Sequence, residues 1–460
     1  MAKLVSTNPA NGDKVGEVTV STTADVARAV ASARKAFPSW RRLSVTERAA
    51  YVKNFRKLLA DHKEELAVLT TKEMGKPIVQ AREDVDWELG FIDWYIENAQ
   101  EALGDQVIKE DKRALYKVVY EPWGVCAAIA PWNFPVTMAS SGIMQQILAG
   151  NTVVFKPSEY TTLTQKRFVE LLWESGLPKG VVELVLGAGE VGKMLVDSDI
   201  DLLWFTGSTA VGQEIYAKCG KKFIKGIMEL GGSSPAIVFA DCDLETTLDT
   251  LYSARYFNCG QVCSAVKRLF VEQPIFTKVV EGLKKRVVTK RLGDPMREDT
   301  DIGPLVSQEQ LDMLISQVED AKKKGATVVI GGSKPKGKEF EKGNYYLPTI
   351  LTHVTQKMRV MTEEVFGPVL PVVSFKIEEE AITIANNHIY GLTAEVFTND
   401  KKRAERIARV LESGVVGINT DSFYEPFCPI GGYKKSGMGR EYGIEGFREL
   451  TQMKYICLAK

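Results

Sequence analysis

Histidine is scarce in this sequence. The chain has 460 residues but only three histidines, His62, His353 and His388, and none of them lies in a glycine-rich or motif-like context. This disfavours a cysteine–histidine hydrolase. That alternative stays open, because the histidine partner of a catalytic cysteine is near it in space rather than in sequence.

Paired cysteines are also missing. The seven cysteines form no Cys-x-x-Cys pair, which disfavours a zinc site or a disulfide framework, and we expect no bound metal. Cys259 precedes Cys263 by four residues and would share a helical face with it. A regulatory disulfide is therefore one interpretation of Cys259, and a buried, unreactive cysteine is the other.

The chain has no net charge and no long apolar run. It carries 59 basic and 59 acidic residues, so there is no global electrostatic attraction to nucleic acid or to a membrane surface. No window approaches the ~18 consecutive apolar residues of a membrane span, and residues 1–12 contain no apolar leader segment. The sequence predicts a cytoplasmic protein without a nucleic-acid or membrane partner.

The patterns that are present indicate an α/β protein. At about 150 residues per domain, the length predicts two to three domains. Residues 45–73 and 82–103 have helical periodicity, and residues 104–122 predict an exposed strand that needs a partner at its edge. The second helical stretch has an aromatic stripe, interpreted as core packing, formed by Trp87, Phe91, Trp94 and Tyr95.

Short apolar strands then alternate with helical patterns, which predicts mostly parallel, doubly wound sheets. The first run of predicted strands comprises 125–130, 152–155, 181–186 and 202–205. The second run comprises 236–239, 268–272, 327–331, 370–375, 393–398 and 415–418.

Cys263 is the candidate nucleophile. It follows Gly260-Gln261-Val262 and precedes an apolar strand. A thiol is a nucleophile only as the thiolate, so it needs an electropositive setting and a base elsewhere in the fold. Glu229 is the candidate base, because the two glycines that follow Leu230 permit close approach of a ligand or another backbone.

A neutral amide accompanies these groups. Asn133 stands between Trp132 and Phe134, where a buried amide has to be hydrogen-bonded. It either satisfies nearby backbone or donates to an oxyanion.

Three further segments could bind a phosphate or a ribose. Lys156 and Glu159 follow the strand 152–155, at the carboxyl edge where open sheets bind ligands, and a surface ion pair is the alternative interpretation. Ser208 follows a strand and opens a helix, a position suited to an anion. The Gly187–Gly192 segment matches G-x-G-x-x-G, a weak signal in a chain with 38 glycines, and is interpreted as a turn near a cofactor.

In combination these motifs resemble the aldehyde dehydrogenase superfamily. Glu-Leu-Gly-Gly-x-x-Pro at 229–235 and Gly-Gln-x-Cys at 260–263 are similar to its two best-known motifs. The other matches follow in order along nearly the whole chain: Pro131–Pro135, Lys156–Glu159, Phe205–Ser208, Glu364–Pro368 and Gly431–Gly437.

The resemblance implies a fold with three parts. Residues 1–103 and 123–230 would form a Rossmann-type dinucleotide-binding domain, and residues 231–440 a second α/β, catalytic domain. Residues 104–122 and 441–460 would form a small β oligomerisation element, and the expected assembly is a homodimer or homotetramer.

The resemblance also implies the reaction, which is NAD(P)+-dependent oxidation of an aldehyde to its carboxylic acid. Cys263 would form a thiohemiacetal and then a thioester, Asn133 would stabilise the oxyanion, and Glu229 would activate water. NAD is the expected cofactor because the carboxylate of Glu159 repels a 2′-phosphate, but Lys156 would accept one, which keeps NADP as the alternative. The implied cofactor-binding residues are Trp132, Lys156, Ser158, Glu159, Gly189, Gly192, Phe205, Gly207, Ser208, Val211, Leu230, Glu364 and Phe366.

The substrate is less clearly indicated. The overall length and short N-terminus resemble the compact succinate-semialdehyde dehydrogenase branch, so succinate semialdehyde is the leading expectation. However, Ser141 and Phe257 stand where that branch has its arginine anchors. The acids and aromatics of residues 421–427 suit a polyol, aromatic or cationic aldehyde as well, so lactaldehyde, glyceraldehyde and aromatic aldehydes are alternatives. Ser233 and Ile430 also depart from the family pattern, which leaves the subfamily open.

Other classes of function remain as alternatives. An enzyme that passes the acyl group to coenzyme A would not need Glu229 as a base. A catalytically silent binding protein would not need Cys263, Glu229 and Asn133 together. A cysteine esterase would bind no NAD.

Overall fold

The computed structural model describes residues 2–460. A hairpin of β1 (Lys3–Thr7) and β2 (Lys14–Thr19) opens the chain, followed by α1 (Thr23–Trp40), α2 (Val45–Asp61), α3 (Lys63–Met74) and α4 (Ile78–Leu103). Thr22 starts α1 through a reciprocal capping box with Asp25, since each side chain accepts from the other residue's backbone N–H. His62 divides the predicted stretch 45–73 into two helices.

The first large sheet has six strands in the order β19-β9-β8-β5-β6-β7, all parallel except β19. Its strands are β5 (Val125–Ile129), β6 (Thr152–Lys156), β7 (Val182–Leu184), β8 (Leu202–Thr206), β9 (Lys225–Glu229) and β19 (Gly437–Met438). The helices between them are α5 (Pro135–Ala149), α6 (Thr162–Glu174), α7 (Gly189–Asp197) and α8 (Thr209–Lys222). The predicted doubly wound, parallel sheet is confirmed.

The second large sheet has seven strands in the order β12-β13-β14-β11-β10-β16-β17, with only β12 antiparallel to its neighbour. Its strands are β10 (Ser234–Val238), β11 (Val266–Glu272), β12 (Thr327–Ile330), β13 (Thr349–Thr352), β14 (Val369–Phe375), β16 (Thr393–Phe397) and β17 (Val415–Ile418). Its helices are α9 (Leu244–Tyr256), α10 (Phe276–Val288), α11 (Gln308–Lys323), α12 (Arg359–Thr362), α13 (Glu378–Asn386) and α14 (Lys401–Val410).

A third sheet joins distant parts of the chain. Strands β3 (Gln106–Glu110), β4 (Ala114–Pro122) and β20 (Thr451–Ala459) pair in the order β20-β4-β3. The edge partner that the sequence predicted for residues 104–122 is therefore the chain's own C-terminal strand. A two-stranded sheet of β15 (Tyr390–Gly391) and β18 (Tyr433–Lys434), and the short helix α15 (Gly443–Glu449), complete the fold.

The chain returns to the first large sheet before residue 440. Ile430, Tyr442, Phe447 and Leu450 are buried in the same apolar core as the helices that cover that sheet. Residues 442–450 therefore contribute to the first core, and β20 extends into the three-stranded sheet. The domain bounds stay a prediction. None of the described helices has both the length and the apolarity needed to cross a membrane.

Candidate active site

A cavity of about 830 Å³ lies where the two large sheets meet. Its wall includes Asn133, Cys263 and Glu364, three residues that were predicted from separate motifs. These residues follow β5, precede β11 and precede β14, respectively, so the fold brings together segments more than 200 residues apart. The cavity is thus the candidate active site.

A tight turn presents Cys263. Residues 257–260 form a 3-10 turn in which Asn258 and Cys259 have left-handed φ angles of 50° and 56°. Gly260 (φ +72°) has to be glycine, because a Cβ there would lie 2.5 Å from the Gly367 carbonyl oxygen. Cys263 faces the cavity beyond this turn, with its Sγ 3.9 Å from the Tyr424 hydroxyl.

Burial controls the acidity of the Cys263 thiol. Desolvation raises its pKa to about 11, and the positive charge of Lys267 acts in the opposite direction. The thiolate is therefore the minor form in the free enzyme near neutral pH, and the positive charge beside it increases its population.

Lys267 is a functional candidate that the sequence reasoning missed. Its side chain is fully buried, and its Nζ donates to the carbonyl oxygens of Val262 (2.9 Å) and Cys263 (2.5 Å). The same ammonium forms an ion pair with Glu364 at 3.2 Å. One cation thus connects the nucleophile's loop to the glutamate implied in binding the cofactor ribose.

Asn133 uses half of its amide for structure. The side-chain Nδ2 of Asn133 donates to the backbone carbonyl oxygen of Gln261 at 3.0 Å. The side-chain Nδ2 of Asn258 donates to the backbone carbonyl oxygen of Asn133 at 2.9 Å. An amide nitrogen has two N–H donors, so one remains for an oxyanion in the cavity. The two interpretations offered by the sequence are therefore compatible.

Glu229 ends β9 and is buried, with 7% of its surface exposed. Its Oε1 has no hydrogen-bond partner among the described residues. Desolvation, followed by the nearby Glu441 carboxylate, raises the pKa of Glu229 well above its usual range. Its charge is the smallest of the contributions that act on the pKa of the Cys263 thiol, and Glu229 is not among the described residues that line the cavity.

Several of the residues implied in cofactor binding line the same cavity. They are Trp132, Gly207, Ser208, Leu230, Glu364 and Phe366. Ser208 caps α8, a 14-residue helix, and its hydroxyl accepts from the Val211 N–H. Ser208 also lines the cavity, so the helix begins at the cavity wall, a position suited to an anion. Gly231 leaves space beside Glu364, since a Cβ on it would collide with the carboxylate. A helix N-terminus, a glycine and the Glu364 carboxylate thus lie on one wall of the cavity, an arrangement compatible with a dinucleotide.

The remaining predicted cofactor residues lie close by. Lys156 ends β6 and is buried, with its Nζ 2.8 Å from the Pro157 carbonyl oxygen and 3.8 Å from Glu159. Its side chain packs against Gly192 in α7, the helix that Gly189 begins. The others have structural surroundings: Ser158 is buried beside Gln165, Phe205 packs in the sheet core, and Val211 is half-exposed in the first turn of α8. Their contacts with a cofactor stay predictions.

Two interpretations from the sequence need correction. The segment between Cys259 and Cys263 is not an α-helix, so the two residues do not share a helical face, and both thiols are free. In the aromatic stripe, Tyr95 is a core residue, but Trp87 is 53% exposed and lines the cavity beside Phe257, at 5.7 Å between ring centroids.

Comparison with known proteins gives the family. Residues 2–456 match the aldehyde dehydrogenase family. The chain belongs to this family. It is 39% identical to a mitochondrial succinate-semialdehyde dehydrogenase of Arabidopsis thaliana, over 98% of this chain and 85% of the relative. It is likewise 39% identical to a betaine aldehyde dehydrogenase of Bacillus subtilis, over 98% of this chain and 92% of the relative.

Solved structures agree with this assignment. A betaine aldehyde dehydrogenase of Staphylococcus aureus in complex with NAD+ superposes with a TM-score of 0.95 and 37% identity, over 99% of this chain and 91% of that one. The predicted aldehyde dehydrogenase fold, with its cofactor and catalytic sheets, is confirmed. The protein is an NAD(P)+-dependent oxidoreductase that acts on aldehydes.

Proposed function

We propose that this aldehyde dehydrogenase oxidises a small aldehyde to its carboxylic acid at the cavity around Cys263. The observation that carries the proposal is the convergence of Cys263, Asn133 and Glu364 on one cavity, with Glu229 within electrostatic reach of the thiol. These groups supply a nucleophile, an oxyanion donor, a ribose acceptor and a base.

The chain's own residues perform the acyl chemistry. The Cys263 thiolate attacks the carbonyl carbon, and the Asn133 amide with the Cys263 backbone N–H stabilises the resulting oxyanion; one such donor contributes about 3 kcal/mol. Bound NAD+ supplies the acceptor for the hydride that leaves this carbon. Glu229 then takes a proton from water, the water oxygen attacks the thioester carbon, and Cys263 departs as thiolate while the acid is released.

NAD+ is the proposed cofactor, held by Ser208 at its pyrophosphate and by Glu364 at the nicotinamide ribose. The Glu159 carboxylate lies 3.8 Å from Lys156, where it would oppose a 2′-phosphate. We expect a Glu159→Gln variant to use NADP+ better than the wild type, and NAD+ no better.

Two classes of substrate are proposed. Relatives of this chain are named as succinate-semialdehyde, glutarate-semialdehyde and betaine aldehyde dehydrogenases, and the first of these supports succinate semialdehyde. The cavity favours an aldehyde without a carboxylate, because no lysine or arginine is among its described wall residues. Ser141 hydrogen-bonds to the Tyr442 hydroxyl at 2.9 Å, and Phe257 lies against Phe134, so neither position offers an anion anchor.

The test is NADH formation with succinate semialdehyde, lactaldehyde, glyceraldehyde and benzaldehyde, each with NAD+ and NADP+. Cys263→Ala should lower the rate by at least about 10³-fold, because it removes the nucleophile. Cys259→Ala is the matched control and should retain activity, since that thiol is buried away from the cavity wall. Lack of NADH with every aldehyde, or full activity of Cys263→Ala, would contradict the proposal.

We also propose that the protein is a cytoplasmic homodimer or homotetramer. The three-stranded sheet supports an assembly, because β20 is an edge strand with exposed apolar side chains, including Met453 and Tyr455.

A further inference from the structure

Two acidic side chains at the substrate end of the cavity have no role in the reaction described above. Glu395 lies in β16 and Asp421 follows β17, and both line the cavity. Glu395 is 1% exposed, and neither of its carboxyl oxygens has a hydrogen-bond partner among the described residues. A buried polar group without a partner is uncommon in native structures and requires an explanation.

The register of β16 places Glu395 relative to the nucleophile. The Thr393 hydroxyl donates to the Ser264 carbonyl oxygen at 3.1 Å, one residue after Cys263. Residues i and i+2 of a strand share a face, so Glu395 follows Thr393 on that face about 7 Å further along. Cys263 and Glu395 both line the cavity, so an aldehyde bound at Cys263 extends into the space that Glu395 borders.

The surroundings of Glu395 lack a positive charge that could pair with it. Lys267 is near, but its Nζ is bonded to Glu364 and to two carbonyl oxygens. The described cavity wall has no lysine or arginine and instead contains further acids and aromatic rings: Glu83, Glu88, Glu425, Trp87, Phe257 and Phe423. Aromatic faces and carboxylates both attract cations.

The electrostatics agree with this geometry. Desolvation, and then the charge of Asp421, raise the pKa of Glu395 well above its usual range, with Lys267 acting weakly in the other direction. A ligand cation would remove this penalty, because it would compensate two carboxyl groups at once.

We propose that Glu395, together with Asp421, binds the primary ammonium group of an aminoaldehyde substrate. A primary ammonium has three N–H donors for the unpartnered carboxyl oxygens, whereas a hydroxyl has one donor and no charge. This assignment rests on the proposed function, since it defines which aldehyde reaches Cys263.

The test compares kcat/KM for NADH formation among four-carbon aldehydes that differ only at the far end: 4-aminobutanal, butanal, 4-hydroxybutanal and succinate semialdehyde. The shorter pair of 3-aminopropanal and propanal covers the next chain length. We expect the wild type to prefer an aminoaldehyde. Glu395→Gln should lower kcat/KM for it at least about 10-fold, while the value for butanal changes less than about 3-fold.

Glu73→Gln is the matched control, because Glu73 is equally buried but accepts from the Leu163 and Thr164 N–H groups and is not part of the cavity wall. It should leave the preference for the aminoaldehyde unchanged. The assignment is overturned if the wild type prefers succinate semialdehyde or 4-hydroxybutanal to both aminoaldehydes. It is likewise overturned if Glu395→Gln lowers kcat/KM equally for butanal, or if Glu73→Gln removes the preference to the same extent.

A binding measurement separates this inference from the reaction. Alkylation of Cys263 by iodoacetamide, followed by peptide mass spectrometry, should be slowed by 4-amino-1-butanol in the wild type but not in Glu395→Gln. Such protection without NADH formation from any aldehyde would contradict the proposed function and keep the ammonium site. Protection no greater than that given by 1-butanol would overturn the ammonium site, whatever the activity.

Discussion

At the scale of single residues, we expect Lys267 to control the reactivity of the Cys263 thiol. Its ammonium is the positive charge that favours the Cys263 thiolate. In Lys267→Met this charge is lost and Glu364 loses its partner, so the pKa of the thiol should rise above about 11. Below that pKa the thiolate fraction falls about tenfold for each unit of increase, and we expect alkylation near pH 8 to slow by about 3- to 10-fold.

The measurement is the rate of Cys263 alkylation by iodoacetamide as a function of pH. Lys218→Met is the control, because Lys218 pairs with Asp197 at the surface, away from the cavity wall. A profile of Lys267→Met that superposes on the wild-type profile would show that Lys267 has only a structural role.

The stability of the protein should report on Glu395. Since the folded-state pKa of Glu395 is raised, the folded protein holds a proton that the unfolded chain releases above about pH 4.5. The wild type therefore loses stability as pH rises from the unfolded towards the folded pKa, by up to about 1.4 kcal/mol per pH unit. Glu395→Gln lacks this loss. The melting temperature of Glu395→Gln minus that of the wild type should therefore increase as the pH rises from about 5 to about 8. A difference that does not vary with pH would contradict the prediction.

Sequence patterns single out the residues proposed to carry the reaction but not those that support them. Cys263, Glu229 and Asn133 each lie within three residues of a glycine or proline that sets the motif apart. A buried lysine such as Lys267 looks in sequence like any exposed lysine, because its partners are backbone carbonyls and a glutamate 97 residues away. The burial of Glu395 in a central strand is equally invisible without the sheet.

At the scale of secondary-structure elements, a buried ion pair at the start of α4 packs against the segment that carries Asn133. Lys76 lies 3.3 Å from Asp84, with both side chains almost fully buried, and its Nζ is 3.7 Å from the Phe134 ring centroid. Asp84 also accepts from the Thr137 hydroxyl in α5. Asp84→Asn would leave a buried, unpaired ammonium, and we expect it to cost about 3–5 kcal/mol of unfolding free energy.

Urea unfolding checks this value. The control is Asp93→Asn, which breaks the half-exposed pair of Asp93 in α4 with Arg56 in α2 and should cost less, about 1 kcal/mol. Equal shifts of the urea midpoints of Asp84→Asn and Asp93→Asn would mean that the buried Lys76–Asp84 pair stabilises the fold no more than the Asp93–Arg56 pair does.

Apolar runs located the central strands well: β5, β6 and β8 each lie within about one residue of their predicted ends. Strand β9 has no predicted counterpart, because Ile227 and Met228 are its only large apolar residues, between Lys225-Gly226 and Glu229. The pairing of β9 with β19 joins Glu229 to Gly437, and no local pattern signals a contact at that separation. Local periodicity thus predicts elements, whereas the return of the C-terminal segment to the first sheet depends on tertiary packing.

At the scale of the whole molecule, the three-stranded sheet predicts an assembly. Its edge strand β20 exposes 72% of Met453 and 62% of Tyr455, and an open strand edge with apolar side chains pairs readily with another chain. We expect light scattering to give the mass of a dimer or tetramer. The double variant Met453→Lys/Tyr455→Lys should shift the mass towards the monomer, because burying two ammonium groups at the interface is unfavourable.

Val288→Lys is the control. Val288 is 65% exposed at the end of α10, so this variant should leave the mass unchanged. A monomeric wild type, or an unchanged mass of the double variant, would exclude β20 as the assembly surface.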